Sequence, residues 1–236
     1  MCEMYKRLRA QSIRKVVFLL HVKERSCGHA GSSRVCEGAN RAKVQGDANM
    51  SHITTQVAII GGGPSGLLLS QLLHRQGIET VVLERQTRAY VLGRIRAGVL
   101  ERGFVELMRE AGCAARMEAE GEEHHGVYLA HQGRMDRIDL AASADGATVM
   151  VYGQTEVTRD LYDAQDRMGT TIIHEVEDVV IDGADSNAPT VSFTKDGQRQ
   201  EISCIYVAGC DGFHGVSRAT IPAAKRREFE RVYPFG

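Results

Sequence analysis

The 236-residue chain contains no tryptophan, only four prolines and no CxxC pair among its six cysteines. Three of the cysteines fall in the first fifty residues, which is not the regular spacing of a disulfide framework. We therefore expect a reducing, cytoplasmic setting. The nearest approach to a metal motif is formed by Cys27, His29 and Cys36, but their spacing matches no recognised zinc pattern, so we predict no metal site.

The chain also has no hydrophobic run long enough to cross a membrane. The longest run near the start is "VVFLLHV" at residues 16–22, which is too short for a bilayer and is not followed by a small-residue cleavage site. We expect neither a membrane nor a nucleic-acid partner.

The net charge of −1 hides an uneven distribution of charge. Residues 1–50 carry ten Lys or Arg against four Asp or Glu, whereas the rest of the chain is acidic. This first part is rich in Gly, Ser and charge and has no apolar periodicity, which is typical of a flexible segment. We interpret residues 1–52 as a flexible leader, either a transit peptide or the result of a start assigned upstream of Met50, and we favour the second explanation.

A glycine motif follows the first convincing strand. Residues 57–60 form a short apolar run with β-branched side chains, as in a buried parallel strand. Gly61, Gly63 and Gly66 then give GxGxxG, and a helix follows whose Leu68, Leu69, Leu72 and Leu73 are predicted to share one face, ending at Gly77. Such glycines permit a tight turn, close approach of a diphosphate and close packing of helix on strand, with the helix amides near Ser65 facing the diphosphate.

An acidic residue stands at the position that this motif requires. The strand "ETVVLE" ends at Glu84, where a carboxylate is expected to accept hydrogen bonds from a ribose. Two alternatives remain open: a glycine turn that binds no ligand, and Glu84 as a surface carboxylate that merely ends a strand.

The segments after Glu84 favour FAD over a nicotinamide dehydrogenase. A dehydrogenase continues with further strand and helix units, but residues 85–102 are rich in arginine, of which Arg88 and Arg102 are interpreted as a solvated basic face. A helix at "LERGFVELMREAG" follows. Hairpins are predicted at "GVYLAHQGRMDRIDL" and around Asp196-Gly197, with the helix "TEVTRDLYDAQDRMG" between them.

The strand "CIYVAG" then returns to the first sheet and ends at Asp211-Gly212, which places a carboxylate over the crevice that the glycine loop lines. The sequence therefore predicts an α/β fold at residues 53–236: a Rossmann-like FAD-binding domain of the glutathione-reductase type with an antiparallel β insert.

From about Thr55 onward the chain closely resembles the amino-terminal half of the 4-hydroxybenzoate 3-monooxygenases, a family of FAD-dependent aromatic hydroxylases. The resemblance rests on long segments that occur in order: "QVAIIGGGPSGLLL", "LERQT", "YVLGRIRAGVLE", "VYGQTEVTRDL", "AGCDGFHGVSR" and "FERVYPFG".

The resemblance implies two sets of contact residues. FAD is implied to contact the three motif glycines together with Ser65, Glu84, Arg85, Arg96, Gln154, Asp211 and Gly212. NADPH, as co-substrate, is implied to contact Arg85, Gln86, Tyr90, Arg94, Arg96 and His214, with Arg218 as a weaker candidate. No protein nucleophile is required, so no catalytic residue is predicted.

The resemblance further implies hydroxylation of 4-hydroxybenzoate to 3,4-dihydroxybenzoate with O2, by a family compatible with a homodimer. The family's substrate-binding residues have no counterpart before Gly236, so we expect a chain truncated before the substrate half, with weak FAD binding and little hydroxylase activity. The alternative function is an FAD-binding module that does not catalyse.

Overall fold

The computed structural model describes residues 18–19, 45–47, 50–94 and 96–232. Most of the predicted leader, including Cys27, His29 and Cys36, lies outside the described residues. Among the described residues, no helix combines the length and apolar composition needed to cross a bilayer.

Fifteen strands are described. In chain order they are β1 (Phe18–Leu19), β2 (Gln45–Asp47), β3 (Met50–Thr54), β4 (Val57–Ile60), β5 (Thr80–Glu84), β6 (Val99–Glu101), β7 (Glu122–His124), β8 (Gly126–His131), β9 (Arg134–Asp139), β10 (Val149–Val151), β11 (Thr171–His174), β12 (Glu177–Asp182), β13 (Thr190–Lys195), β14 (Gln198–Ser203) and β15 (Tyr206–Gly209).

The described helices are α1 (Pro64–His74), α2 (Arg88–Gly93), α3 (Arg102–Glu110), α4 (Ala115–Glu120), α5 (Leu140–Ser143), α6 (Gln154–Met168) and α7 (Val216–Thr220), followed by a 3-10 turn at Ala223–Lys225. The predicted helices after the glycine motif, at "LERGFVELMREAG" and at "TEVTRDLYDAQDRMG" are therefore confirmed as α1, α3 and α6.

The central sheet has the strand order β1, β15, β4, β5, β11. Its last four strands are parallel, and β1 is antiparallel to β15 at the edge. Every residue of β4 and β5 is buried, which explains the continuous apolar runs at residues 57–60 and 81–83. The predicted return of "CIYVAG" to the first strand is confirmed, because Tyr206 aligns with Val57 and Gly209 with Ile60. The carboxyl ends of three parallel strands therefore meet beside the glycine motif.

A second sheet has the order β12, β13, β14, β3, β2 and is antiparallel except where β14 pairs with β3. Its predicted hairpin around Asp196-Gly197 is confirmed: both residues have positive φ, 52° and 74°, as a two-residue type I′ turn requires. The hairpin of β8 and β9 is confirmed too. The remaining sheet has the order β6, β10, β7.

All four predicted leucines of α1 are buried, but the face that they form packs against two layers rather than one. Leu69 and Leu73 pack with Ile59 of the central sheet. Leu68 and Leu72 pack instead with residues of α3 and α6. Because the helix lies between the sheet and other helices, apolar residues are required around most of its circumference.

Buried polar contacts hold α6 to its neighbours. Gln165, fully buried, accepts a hydrogen bond from Ser70 Oγ at 3.1 Å and donates one to the Leu67 carbonyl of α1 at 3.0 Å. Asp160 is also buried; its carboxylate accepts from Tyr152 Oη at 2.8 Å and from Arg116 at 2.8 Å. These contacts fix α6 relative to both α1 and α4.

The substitution Asp160→Asn tests the second contact. Removing the charge from a buried carboxylate leaves Arg116 without its buried partner, so we expect the free energy of unfolding to fall by about 2 kcal/mol. The control is Asp163→Asn on the same helix, whose side chain is 49% exposed and whose loss should change stability by less than about 0.5 kcal/mol. Urea unfolding of both variants measures the difference; equal losses would contradict this account.

Candidate functional site

The loop between β4 and α1 is fixed by close backbone packing at two glycines. Gly61 has a φ of 107°, and a Cβ there would lie 2.5 Å from the Cys210 carbonyl oxygen at the end of β15. A Cβ on Gly66 would overlap the Gly61 carbonyl oxygen. Since both obstacles are backbone atoms, side chains at these positions would force the loop away from the sheet.

Gly63 differs from these two glycines because it faces open space. A Cβ at Gly63 would meet nothing within 4 Å, and Gly63 is the N-cap residue immediately before α1. No described side chain caps this helix end, no acidic residue lies in its first turn, and Ser65 is exposed. The first amides of α1 are therefore available to an anion, which the helix dipole also favours.

Glu84 lies against the glycine loop at the end of β5. Its side chain is buried, with Oε2 accepting a hydrogen bond from the Gly62 amide at 2.7 Å and Oε1 accepting one from the Gln86 amide at 2.8 Å. The alternative interpretation of Glu84 as a surface carboxylate is therefore wrong. Because each carboxylate oxygen can accept a second hydrogen bond, this fixed group keeps acceptor capacity toward a ligand.

Behind the loop lie Tyr162 of α6 and His174 of β11. The Tyr162 hydroxyl is 3.4 Å from the Gly62 carbonyl oxygen and 3.0 Å from His174 Nε2, and the two rings stack at 5.7 Å. Burial raises the pKa of Tyr162 to about 12 and lowers the pKa of His174. The sequence did not single out either residue. Their proximity to the loop depends on tertiary structure, since His174 aligns with Glu84 only once β11 pairs with β5.

Arg88 belongs to the same cluster. Its guanidinium lies 4.6 Å from the centre of the Tyr162 ring and pairs with Asp166 at 2.7 Å. The hydrogen bond to Asp166 raises the pKa of Arg88. The Arg88 side chain is still 39% exposed, so its interpretation as part of a solvated face holds in part, but the guanidinium also contacts the buried Tyr162 ring. Arg102 is exposed and, within the described part of the chain, forms its ion pair with Glu106 on its own helix.

The backbone of Asp211 lies next to the glycine loop, and its side chain contacts α7. Its amide nitrogen lies close to Gly61, and its Oδ2 accepts a hydrogen bond from the Ser217 amide at 2.9 Å. Gly215 leaves room for this carboxylate, because a Cβ there would overlap it. The carboxylate thus stands at the edge of the predicted crevice, where it also caps a short helix.

The other predicted residues lie on the segments that follow β5 and β15, around α2 and at the start of α6. Gln154 begins α6 and is half-buried, whereas Gly212 is exposed. Five further side chains are exposed: Arg85, Tyr90, Arg94, Arg96 and His214. Among the described residues, no hydrogen bond or ion pair joins these five side chains to the glycine loop; the Arg94 guanidinium lies 5.8 Å from the Tyr90 ring, and the His214 ring lies 5.0 Å from that of Phe213.

A separate cleft of about 330 Å³ is open between α3 and the β6, β10, β7 sheet. It is lined by Arg102, Val105, Arg109, Glu123, Gly146, Thr148, Val149 and Met150. Arg102 and Arg109 each pair with a glutamate, which reduces the positive charge that the cleft presents to an anionic ligand. The glycine loop, with its free amides and fixed carboxylate, is the better candidate site.

A protein-family model described as "FAD binding domain" matches residues 54–236. The chain is 46% identical over 187 residues to the p-hydroxybenzoate hydroxylase of Acinetobacter baylyi, covering 79% of this chain and 46% of that protein. It is 26% identical to the pentachlorophenol 4-monooxygenase of Sphingobium chlorophenolicum, covering 73% and 32%. The chain thus spans less than half the length of these curated relatives.

Among solved structures, the p-nitrophenol 4-monooxygenase of Pseudomonas putida superposes with a TM-score of 0.61 at 21% identity, covering 71% of this chain and 44% of that one. This likeness concerns the fold, and it agrees with the predicted α/β class.

The packing role of Gly66 can be tested through the stability of the protein without a ligand. Gly66→Ala places a methyl group on the Gly61 carbonyl oxygen, so we expect a loss of about 1–3 kcal/mol in the free energy of unfolding. Gly103→Ala is the control, since Gly103 lies on α3 facing open space; it should retain or slightly raise stability. Thermal unfolding distinguishes them, and an equally stable Gly66→Ala would show that the loop is not fixed by this contact.

The burial of His174 predicts a pH dependence of stability. Because the folded state lowers the pKa of His174 from its usual 6.5, the unfolded chain binds more protons just below that pH, and acidification favours unfolding. In urea titrations at about pH 7.5 and about pH 5.5, the wild type should lose stability relative to His174→Gln as the pH falls. A pH-independent difference between the two proteins would contradict this assignment.

Proposed function

Because this chain belongs to the FAD binding domain family, within which it is p-hydroxybenzoate hydroxylase-like, we propose that it binds FAD at the glycine loop and serves NADPH-dependent hydroxylation of 4-hydroxybenzoate. One observation carries the proposal: the uncapped amino-terminal end of α1 opens beside a buried carboxylate at the neighbouring strand end. This pair of features suits a diphosphate joined to a ribose.

The residues around the loop fit FAD. Gly61, Gly63 and the amide of Ser65 line the side where the diphosphate would lie, and the open space at Gly63 admits it close to the backbone. Glu84 would accept hydrogen bonds from the ribose with the acceptor capacity that its two backbone contacts leave. Gly66 would act by keeping α1 close to the loop.

Further FAD contacts are proposed at residues on the adjoining elements. Arg85 follows Glu84 directly, Asp211 and Gly212 follow β15, and Gln154 begins α6. Arg96 lies between α2 and β6. The positions of Arg85, Asp211 and Gly212 after β5 and β15 support this assignment, because ligands of open α/β sheets bind beyond the carboxyl ends of the strands. For Gln154 and Arg96 the assignment rests on the family resemblance.

NADPH is proposed to approach from solvent, through a surface rather than a second nucleotide-binding fold. The exposed guanidinium groups of Arg85, Arg94 and Arg96 are suited to phosphate groups, since guanidinium binds phosphate with paired hydrogen bonds. Tyr90, Gln86 and His214 are proposed to contribute polar and ring contacts.

Bound FAD would supply the redox chemistry linking nicotinamide, O2 and the phenol, which is chemistry that side chains cannot perform. The chain's own residues would bind the dinucleotide, fix its orientation and hold the loop against the sheet. The proposed substrate, 4-hydroxybenzoate, and product, 3,4-dihydroxybenzoate, rest on the 46% identity with the Acinetobacter protein.

FAD binding is tested by titration with Gly63→Ala. The added methyl group occupies the open space beside the loop, so we expect a Kd at least tenfold above that of the wild type, with unchanged stability of the apo protein. Gly103→Ala, which adds the same methyl group to α3, should bind FAD as the wild type does. Quenching of flavin fluorescence gives the three Kd values; identical affinity in all three proteins would exclude the glycine loop as the site.

Hydroxylation is tested by supplying the FAD-loaded chain with NADPH, O2 and 4-hydroxybenzoate. Formation of 3,4-dihydroxybenzoate in proportion to NADPH oxidation supports the proposed hydroxylase activity. FAD binding with little or no product is what the sequence predicts for this chain alone, and it agrees also with the alternative, an FAD-binding module that does not catalyse. Absence of FAD binding contradicts both.

A further inference from the structure

Gly62 is constrained from two directions, although it is not one of the three motif glycines. Its amide donates to Glu84 Oε2 at 2.7 Å, and its carbonyl oxygen lies 3.4 Å from the hydroxyl of Tyr162. A Cβ on Gly62 would lie 2.8 Å from the Cβ of Glu84, so a side chain at this position would push against Glu84. The Gly62 peptide groups therefore depend on two side chains from distant parts of the chain.

Tyr162 is well placed to hold this carbonyl. Its side chain is fully buried, and its ring contacts the Arg88 guanidinium and stacks on His174. Arg88 is in turn paired with Asp166 of the same helix. A buried ring with these contacts has little rotational freedom, so its hydroxyl stays at one position beneath the loop.

The hydroxyl has one hydrogen to donate and two neighbours that can accept it. If His174 Nε2 accepts that hydrogen, none remains for the Gly62 carbonyl. If instead His174 carries its proton on Nε2, the imidazole donates to the Tyr162 oxygen, and the Tyr162 hydrogen is free for Gly62. The tautomer of His174 therefore decides whether Tyr162 can hold the loop.

We propose that Tyr162 is a positioning residue for the glycine loop, with His174 donating to the Tyr162 hydroxyl and the Tyr162 hydroxyl donating to the Gly62 carbonyl. This relay fixes the peptide that precedes Gly63, and thereby the free amides at the start of α1. The effect on FAD affinity rests on the function proposed above, whereas the relay itself exists in the apo protein.

Tyr162→Phe removes only the hydroxyl and is the main test. We expect the FAD Kd to rise about fivefold and the Gly62 amide of the apo protein to exchange hydrogen about fivefold faster, the equivalent of one neutral hydrogen bond of about 1 kcal/mol. Tyr152→Phe is the matched control, since it removes the hydroxyl of another buried tyrosine that contacts Asp160 instead. Because Arg116 still holds Asp160 in this variant, α6 stays anchored and both quantities should be unchanged.

The tautomer supplies a second readout that does not depend on any variant. Long-range ¹H–¹⁵N correlation spectra of the wild-type apo protein should show His174 protonated at Nε2 and neutral near pH 7.5. A proton on Nδ1 would overturn the proposal, even if Tyr162→Phe did not fold. Equal effects of Tyr162→Phe and Tyr152→Phe on Gly62 exchange would overturn it too.

Variants of His174 test whether its side chain and that of Tyr162 act together. His174→Leu removes the donor that orients the Tyr162 hydroxyl but leaves the hydroxyl hydrogen free for the Gly62 carbonyl, so we expect an effect smaller than that of Tyr162→Phe and no further change when it is added to Tyr162→Phe. His174→Gln retains an N–H donor and should recover part of the lost affinity. Additive effects of the two substitutions would contradict a shared relay. If the wild type binds no FAD, the proposed function fails, while amide exchange and the tautomer still decide the relay.

Discussion

The close contact between the glycine loop and the end of β15 is the constraint on which the site depends. Gly61 packs against the Cys210 carbonyl, and Gly66 packs against Gly61, so strand, loop and helix meet with no room for a side chain. This packing fixes the first turn of α1 at the carboxyl edge of the sheet. The same edge carries Glu84 and Asp211, which explains why residues far apart in the chain reach one site.

Polar contacts then stabilise an arrangement that backbone packing defines. Gln165 holds the middle of α1 from within α6, and Tyr162 approaches the loop from the same helix. Helix α6 is itself anchored through Asp160. The loop is therefore supported by side chains that do not themselves face the ligand, as sites with fixed geometry require.

Local patterns predicted much of this fold. The strands beside the glycine motif, the two hairpins and the helices α3 and α6 follow from apolar runs, turn residues and helical periodicity, all of which act over a few residues. The burial of α1 on two sides was not predictable in this way, since it depends on which helices pack over it. For the same reason, the ion pair of Arg88 and the contact of Tyr162 with His174 emerged only from the tertiary structure.

The central claim is that the open amides at the start of α1 bind the FAD diphosphate. The most direct measurement is an amide ¹H–¹⁵N spectrum of the labelled chain recorded during addition of FAD. The account predicts that the largest shifts occur at Gly62, Gly63 and Ser65, while Gly146 and Thr148 of the separate cleft stay unchanged. Shifts centred on that cleft, or none at the glycine loop, would contradict it.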